Sequence, residues 1–126
     1  EQGFQMGTRK TFLPDPDTAW ELITSSEGIE TWLGAGAPDE LEEGQAGTLD
    51  DGTAYEIRVV SPGSHIRLFW HPSGWEERST LQVRSVESSS GRGGVSFHHE
   101  QLPDQNAREA MKNHWKDVLA DLNALR

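Results

Sequence analysis

Among the residues able to do chemistry, His99 is the best placed. It alternates with Val95 and Phe97 on one face of a predicted strand, the face expected to look inward. A histidine there could hydrogen-bond a ligand, or take and give a proton near neutral pH. A core-edge histidine satisfied by a backbone group or by water fits the same pattern. His98 and His99 make a poor metal pair, because adjacent strand residues point to opposite faces. His65 and His71 share a nominal face, but at 3.3 Å per residue they stand roughly 20 Å apart. Zinc needs three or four converging ligands, and no spacing in the chain supplies them, so no metal and no cofactor is expected.

Glu56 and Arg58 alternate with Tyr55 and Ile57. On an outer face they form a surface ion pair of little energetic value; turned inward by a bulge, they would anchor a polar group in a pocket. Arg67 and Arg84 pose the same alternative. The chain has five tryptophans, Trp20, Trp32, Trp70, Trp75 and Trp115. Such rings grip flat or aliphatic ligands in apolar pockets, or they compensate for a small aliphatic core. No Gly-x-Ser-x-Gly elbow and no phosphate-cradling loop occurs, and Gly91-Arg92-Gly93-Gly94 reads as a hairpin loop. No catalytic residue is assigned.

Composition limits what such residues can belong to. At 126 residues the chain suits one domain, 1–126, with one core. Hydrophobic residues make up only 33% and mean hydropathy is -0.69, but the aromatic residues and periodic apolar positions argue against disorder. Without cysteine there is no disulfide, thiolate metal site or thiol nucleophile. No apolar run approaches the roughly 18 residues of a membrane span and no leader opens the chain, so a cytoplasmic protein without membrane insertion is expected. Net charge is -10, all of it in residues 1–51, which hold twelve acids against Arg9 and Lys10; residues 52–126 balance nine acids with nine bases. No basic stripe follows a phosphate backbone, so no nucleic acid is expected. The acidic half could meet a basic protein partner, or simply keep the chain soluble.

The elements that position these residues can be read in order. Phe4 to Leu13 is a strand ended by Pro14-Asp15-Pro16-Asp17, where Asp15 or Asp17 can cap a helix carrying Ala19, Trp20, Leu22 and Ile23. Ser26 opens a second short helix with a loose capping box, and Ile29, Trp32 and Leu33 fall at helical spacing. Short strands follow: Ala46 to Leu49 into an Asp51-Gly52 turn, then Tyr55 to Val59, then one carrying Ile66, Leu68 and Trp70. Next come Trp75 to Val86 and a last strand with Val95, Phe97 and His99. Their close spacing implies an antiparallel sheet. Asp104 to Arg126 predicts one long helix with Ala107, Met111, Trp115, Val118, Leu122 and Leu125 on one stripe. It would be about 34 Å long, enough to cross a sheet of this size.

This α+β order, a strand, two short helices, about six antiparallel strands and a closing helix, resembles the helix-grip (START-like/Bet v 1-like) fold of the SRPBCC superfamily. Pro16-Asp17-Thr18-Ala19-Trp20-Glu21-Leu22-Ile23-Thr24, then Glu27-Gly28-Ile29-Glu30-Thr31-Trp32-Leu33-Gly34, is similar to the paired-helix signature of the Hsp90 ATPase activator homologue (AHSA1-like) family. Leu68-Phe69-Trp70, Val95-Ser96-Phe97-His98-His99 and His114 to Leu122 resemble its central hairpin, last strand and closing helix. The resemblance implies a curved sheet with the long helix over it and a pocket between them for a small hydrophobic or amphipathic ligand. Its candidate walls are Trp32, Tyr55, Leu68, Trp70, Phe97, His99, Met111 and Trp115. It also allows a chaperone-associated interaction module, or a cyclase- or hydrolase-like enzyme in the same pocket, working as monomer or homodimer.

Overall fold

The computed structural model describes residues 3–125. Strand β1 (Phe4–Leu13) leads into helices α1 (Pro16–Thr24) and α2 (Ser26–Leu33). Strands β2 (Ala46–Thr48), β3 (Ala54–Ser61), β4 (His65–His71), β5 (Ser79–Glu87) and β6 (Gly93–Leu102) follow, and α3 (Gln105–Ala124) closes the chain. All six strands form one antiparallel sheet in the order β1-β6-β5-β4-β3-β2. The expected helix-grip architecture is present.

Local chemistry sets the helix boundaries. Asp15 caps α1 by accepting from the backbone N–H and the hydroxyl of Thr18, both at 2.7 Å, with Pro16 in the first turn where its missing N–H costs nothing. Ser25, not the expected Ser26, caps α2. Its hydroxyl accepts from Gly28 N–H at 3.0 Å and donates to the Leu22 carbonyl at 2.8 Å, so one side chain ends α1 and begins α2. The junction is tight enough that a Cβ on Gly28 would lie 1.7 Å from the Leu22 carbonyl oxygen. The Trp32 indole N–H reaches the Ile23 carbonyl at 2.9 Å and ties the two helices together.

Two strand expectations need correction. The strand expected from Trp75 begins at Ser79, because Gly74 adopts a positive φ and the chain needs the next four residues to come round from β4. The strand expected to reach Leu49 stops at Thr48.

Inward positions of the sheet, Ile57, Ile66, Leu68, Leu81, Val83, Val95 and Phe97, are wholly buried beneath the helices. Helix α1 packs on β5 and β6, while α3 lies along β1 and β6 and against α2. Thus α3 does not span the sheet; it reaches β4 only through large side chains. Arg108 pins it to β1 by donating to the Gln5 carbonyl at 2.8 Å. On α3 the buried residues are Trp115, Val118, Leu119 and Leu122, while Ala107 and Met111 are half-buried and Leu125 is exposed. Arg126, the expected end of the helix, lies outside the described residues.

Candidate functional site

Strand register brings the aromatic residues together. On the inner face Tyr55, Trp70 and Ser79 sit side by side on β3, β4 and β5, and one step along, Leu81, His99 and Met6 do the same on β5, β6 and β1. Trp115 descends on this patch from α3. Its ring stacks on Phe97 with centroids 4.6 Å apart, and lies 5.8 Å from Trp70 and 5.9 Å from His99.

A directed hydrogen-bond chain runs through the cluster. The Trp115 indole N–H donates to His99 Nδ1 at 3.1 Å. His99 must therefore carry its proton on Nε2, which lies 2.8 Å from Ser79 Oγ. Ser79 in turn donates to the Trp70 carbonyl. Both ring nitrogens of His99 are occupied and the side chain is fully buried. Burial first, then the neighbouring His114 and His98, pushes its pKa down to about 3. With Nδ1 accepting from Trp115 and the Nε2–H given to Ser79, the neutral imidazole has neither a free lone pair nor a free N–H to offer a ligand in this state.

The cluster has one unsatisfied group. The Trp70 indole Nε1 is buried with no hydrogen-bond partner among the described residues. An orphaned buried donor costs about 1–3 kcal/mol and calls for an explanation. Around this ring stand Trp75, half-buried, with its centroid 6.0 Å away, and the solvent-accessible His114 at 6.3 Å. His114 also packs edge-on against Trp115 at 4.5 Å. Desolvation lowers its pKa, opposed by Asp117 and Asp51.

Of the eight predicted wall residues, Trp70, Phe97, His99 and Trp115 form the cluster and Tyr55 lies beside Trp70. Leu68 is buried in the next row of β4, Met111 is half-buried on α3, and Trp32 serves the α1–α2 junction. Sequence reasoning missed Ser79, although it precedes Leu81 by two and so shares its face. It also missed His114 as a neighbour of Trp70.

Cavities of about 620, 730 and 470 Å³ open on the surface; Trp75 lines the second and Tyr55 the third, while Trp70, Phe97, His99 and Trp115 line none of the three. Among the described residues no three His, Asp or Glu side chains converge as metal ligands would, and no helix is long and apolar enough to cross a membrane.

The model of the family described as activator of Hsp90 ATPase homolog 1-like protein matches residues 15–126. The chain belongs to this family. Solved structures share the family's fold at low identity. Protein MLL2253 from Mesorhizobium loti superposes with a TM-score of 0.78 at 16% identity, covering 97% of this chain and 96% of that one. PFC0360w, an HSP90 activator from Plasmodium falciparum, gives 0.70 at 18% identity over 96% and 92%. The Aha1 dimer from Colwellia psychrerythraea gives 0.74 at 13% identity over 95% and 93%. A comparison with curated proteins gives no match. At these identities the structural likeness establishes the fold and leaves activity to be argued from the site.

Proposed function

We propose that the chain, as one cytoplasmic domain over residues 1–126, is a non-enzymatic binding domain for a small hydrophobic or amphipathic molecule. The ligand enters between the β4–β5 turn and α3, over Trp70. The observation that carries this reading is the unpartnered indole N–H of Trp70, buried within a cluster of aromatic rings. A ligand with an apolar body and one hydrogen-bond acceptor suits such a place: the rings take the body and the N–H takes the acceptor. Since the rings already touch, the ligand must part Trp75 and His114 from Trp70, and neither of the two is fully buried. An enzyme reading is less well supported, because His99 spends both nitrogens on protein partners.

Tryptophan fluorescence tests this directly against a panel of fatty acids, sterols and aromatic polyketides. Saturable quenching or a blue shift that weakens in Trp70→Phe supports the reading. A flat response across the panel, with native mass spectrometry finding no co-purified small molecule, counts against it.

A second reading is a chaperone-associated interaction module, alone or as a homodimer. It is favoured by the stacking of Phe97 on Trp115, which fills the interior with side chains, and by the likeness to the P. falciparum HSP90 activator. It predicts a changed ATPase rate when the protein is added to a bacterial Hsp90 at low salt. An unchanged rate and no binding would remove it.

A further inference from the structure

The face of the sheet turned away from the helices carries a charge pattern opposite to that of the whole chain. Register places its residues in rows. One row runs Arg9, Ser96, Arg84 and His65 across β1, β6, β5 and β4. The next runs Gly7, His98, Gln82, Arg67 and Val59, and the third Glu100, Thr80, Phe69, Glu56 and Ala46. Arg58, in the β3 bulge between Ile57 and Val59, joins this face, and Arg78 folds over it from the segment before β5. The strands here contribute four arginines and Arg78 adds a fifth, against Glu56 and Glu100, in a chain of net charge -10.

Arg9, Arg58, Arg67 and Arg78 are exposed and Arg84 is half-buried, and those around Phe69 are only lightly engaged. Arg67 meets Glu100 at 3.4 Å and Gln82 at 3.5 Å, both at the outer limit of such contacts. Arg58 pairs with Glu56 at 3.0 Å in the open. Arg78 has no ion pair or hydrogen bond among the described residues; its guanidinium lies 3.6 Å from the Phe69 ring centroid, with Arg58 at 5.3 Å. Phe69 lines both a groove of about 620 Å³, with Arg58, Arg67 and Thr80, and one of about 470 Å³, with Arg78 and the β2 edge. At the far end of the first groove Gln101 holds a left-handed backbone at φ 64°, and its side chain accepts from Thr80 at 2.6 Å.

We infer that this outer sheet face is a docking site for an acidic segment of a partner protein, with carboxylates on Arg58, Arg67 and Arg78 and an apolar side chain on Phe69. Guanidinium forks with unused donors match carboxylates in geometry as well as charge. A nucleic acid fits less well, because Glu56 and Glu100 interrupt the arginines and Phe69 offers a single stacking ring. A second copy of this chain brings the same net charge of -10 and so repels at long range. The inference is independent of any ligand at Trp70, which lies on the other face.

The test uses a fluorescein-labelled peptide repeating Glu-Leu-Asp-Gly, followed by anisotropy at low salt, with a Gln-Leu-Asn-Gly repeat as the neutral control. The acidic peptide should bind, the neutral one should not, and affinity should fall as salt rises. Arg67→Glu should weaken binding roughly tenfold and Arg78→Ala several-fold, while Arg92→Glu in the β5–β6 turn should change nothing. Urea titration confirms that each variant folds, and Arg67→Gln replaces the reversal if it does not. Equal binding of both peptides, or indifference to Arg67→Glu, overturns the inference. So does displacement of the peptide by oligothymidylate at lower concentration, or sedimentation showing self-association that Arg67→Glu abolishes.

Discussion

The indole N–H of Trp115 donates to Nδ1 of His99 at 3.1 Å, and this bond fixes the histidine tautomer and adds a buried polar tie between α3 and the sheet. Both side chains are wholly buried, so neither water nor an alternative partner can substitute. Trp115→Phe keeps most of the ring and its stack on Phe97 but removes the donor, leaving Nδ1 unsatisfied. The expected loss of stability is about 1–3 kcal/mol, against about 3–5 kcal/mol for Trp115→Ala, which also empties the space between α3 and the sheet. Urea unfolding of the two variants checks the ordering. A Trp115→Phe variant as stable as wild type would show that the hydrogen bond contributes nothing, and equal losses in the two variants that the ring packing adds nothing beyond it.

His99 also gives the fold a pH dependence whose sign can be worked out. Its folded pKa is depressed to about 3 from an unfolded value of 6.5, so below pH 6.5 the unfolded chain binds a proton that the folded chain refuses. The stabilisation is complete above pH 6.5 and is lost as pH falls toward the folded value. The folding constant should drop by up to about tenfold per pH unit in that window. Asp15 and Asp51, held low mainly by their bonds to Thr18 and Thr53, add their own loss only at more acid pH. Urea midpoints between pH 7 and about pH 5 therefore read the histidines together, because burial also lowers His65 and His114 and gives them the same sign. In His99→Gln that slope should shrink sharply; a slope unchanged from wild type would assign it to other groups.

At the α1–α2 junction one hydroxyl serves two helix ends. Ser25→Ala removes the acceptor for Gly28 N–H and the donor to Leu22, and should cost about 1–2 kcal/mol. Gly28→Ala should cost more, about 2–4 kcal/mol, because its methyl group would meet a backbone carbonyl that cannot step aside. Ser26→Ala, one position away, serves as the control and should change little. Thermal melts of the three variants, read together, place the cap.

These outcomes mark where the sequence is legible. The inward faces of β4 and β6 show in simple alternation, because Ile66, Leu68, Trp70 and Val95, Phe97, His99 each step by two without interruption. The α3 stripe shows for the same reason at helical period. Ser25 and Ser26 look equivalent as caps, and only the geometry at Gly28 chooses between them. Trp75 reads as the start of a strand because an aromatic residue follows a turn, whereas the chain must first cross from β4 to β5. The arginine face is invisible locally. Its members come from separate strands, and register, which no short window encodes, sets them side by side.

Trp70→Phe separates a structural role of the unpartnered indole from a binding one. If nothing meets the N–H in solution, removing a buried unsatisfied donor should leave the protein as stable as before, or up to about 1 kcal/mol more so, while the ring still packs on Trp115 and Trp75. If a ligand acceptor meets it, the same variant should weaken that ligand about fivefold to tenfold. Isothermal titration with whichever member of the lipid panel quenches most, beside a urea titration of the free protein, measures both effects. A variant that gains stability and loses affinity marks Trp70 as a site kept for function at the expense of the fold. A loss of stability with unchanged affinity would return the residue to the core.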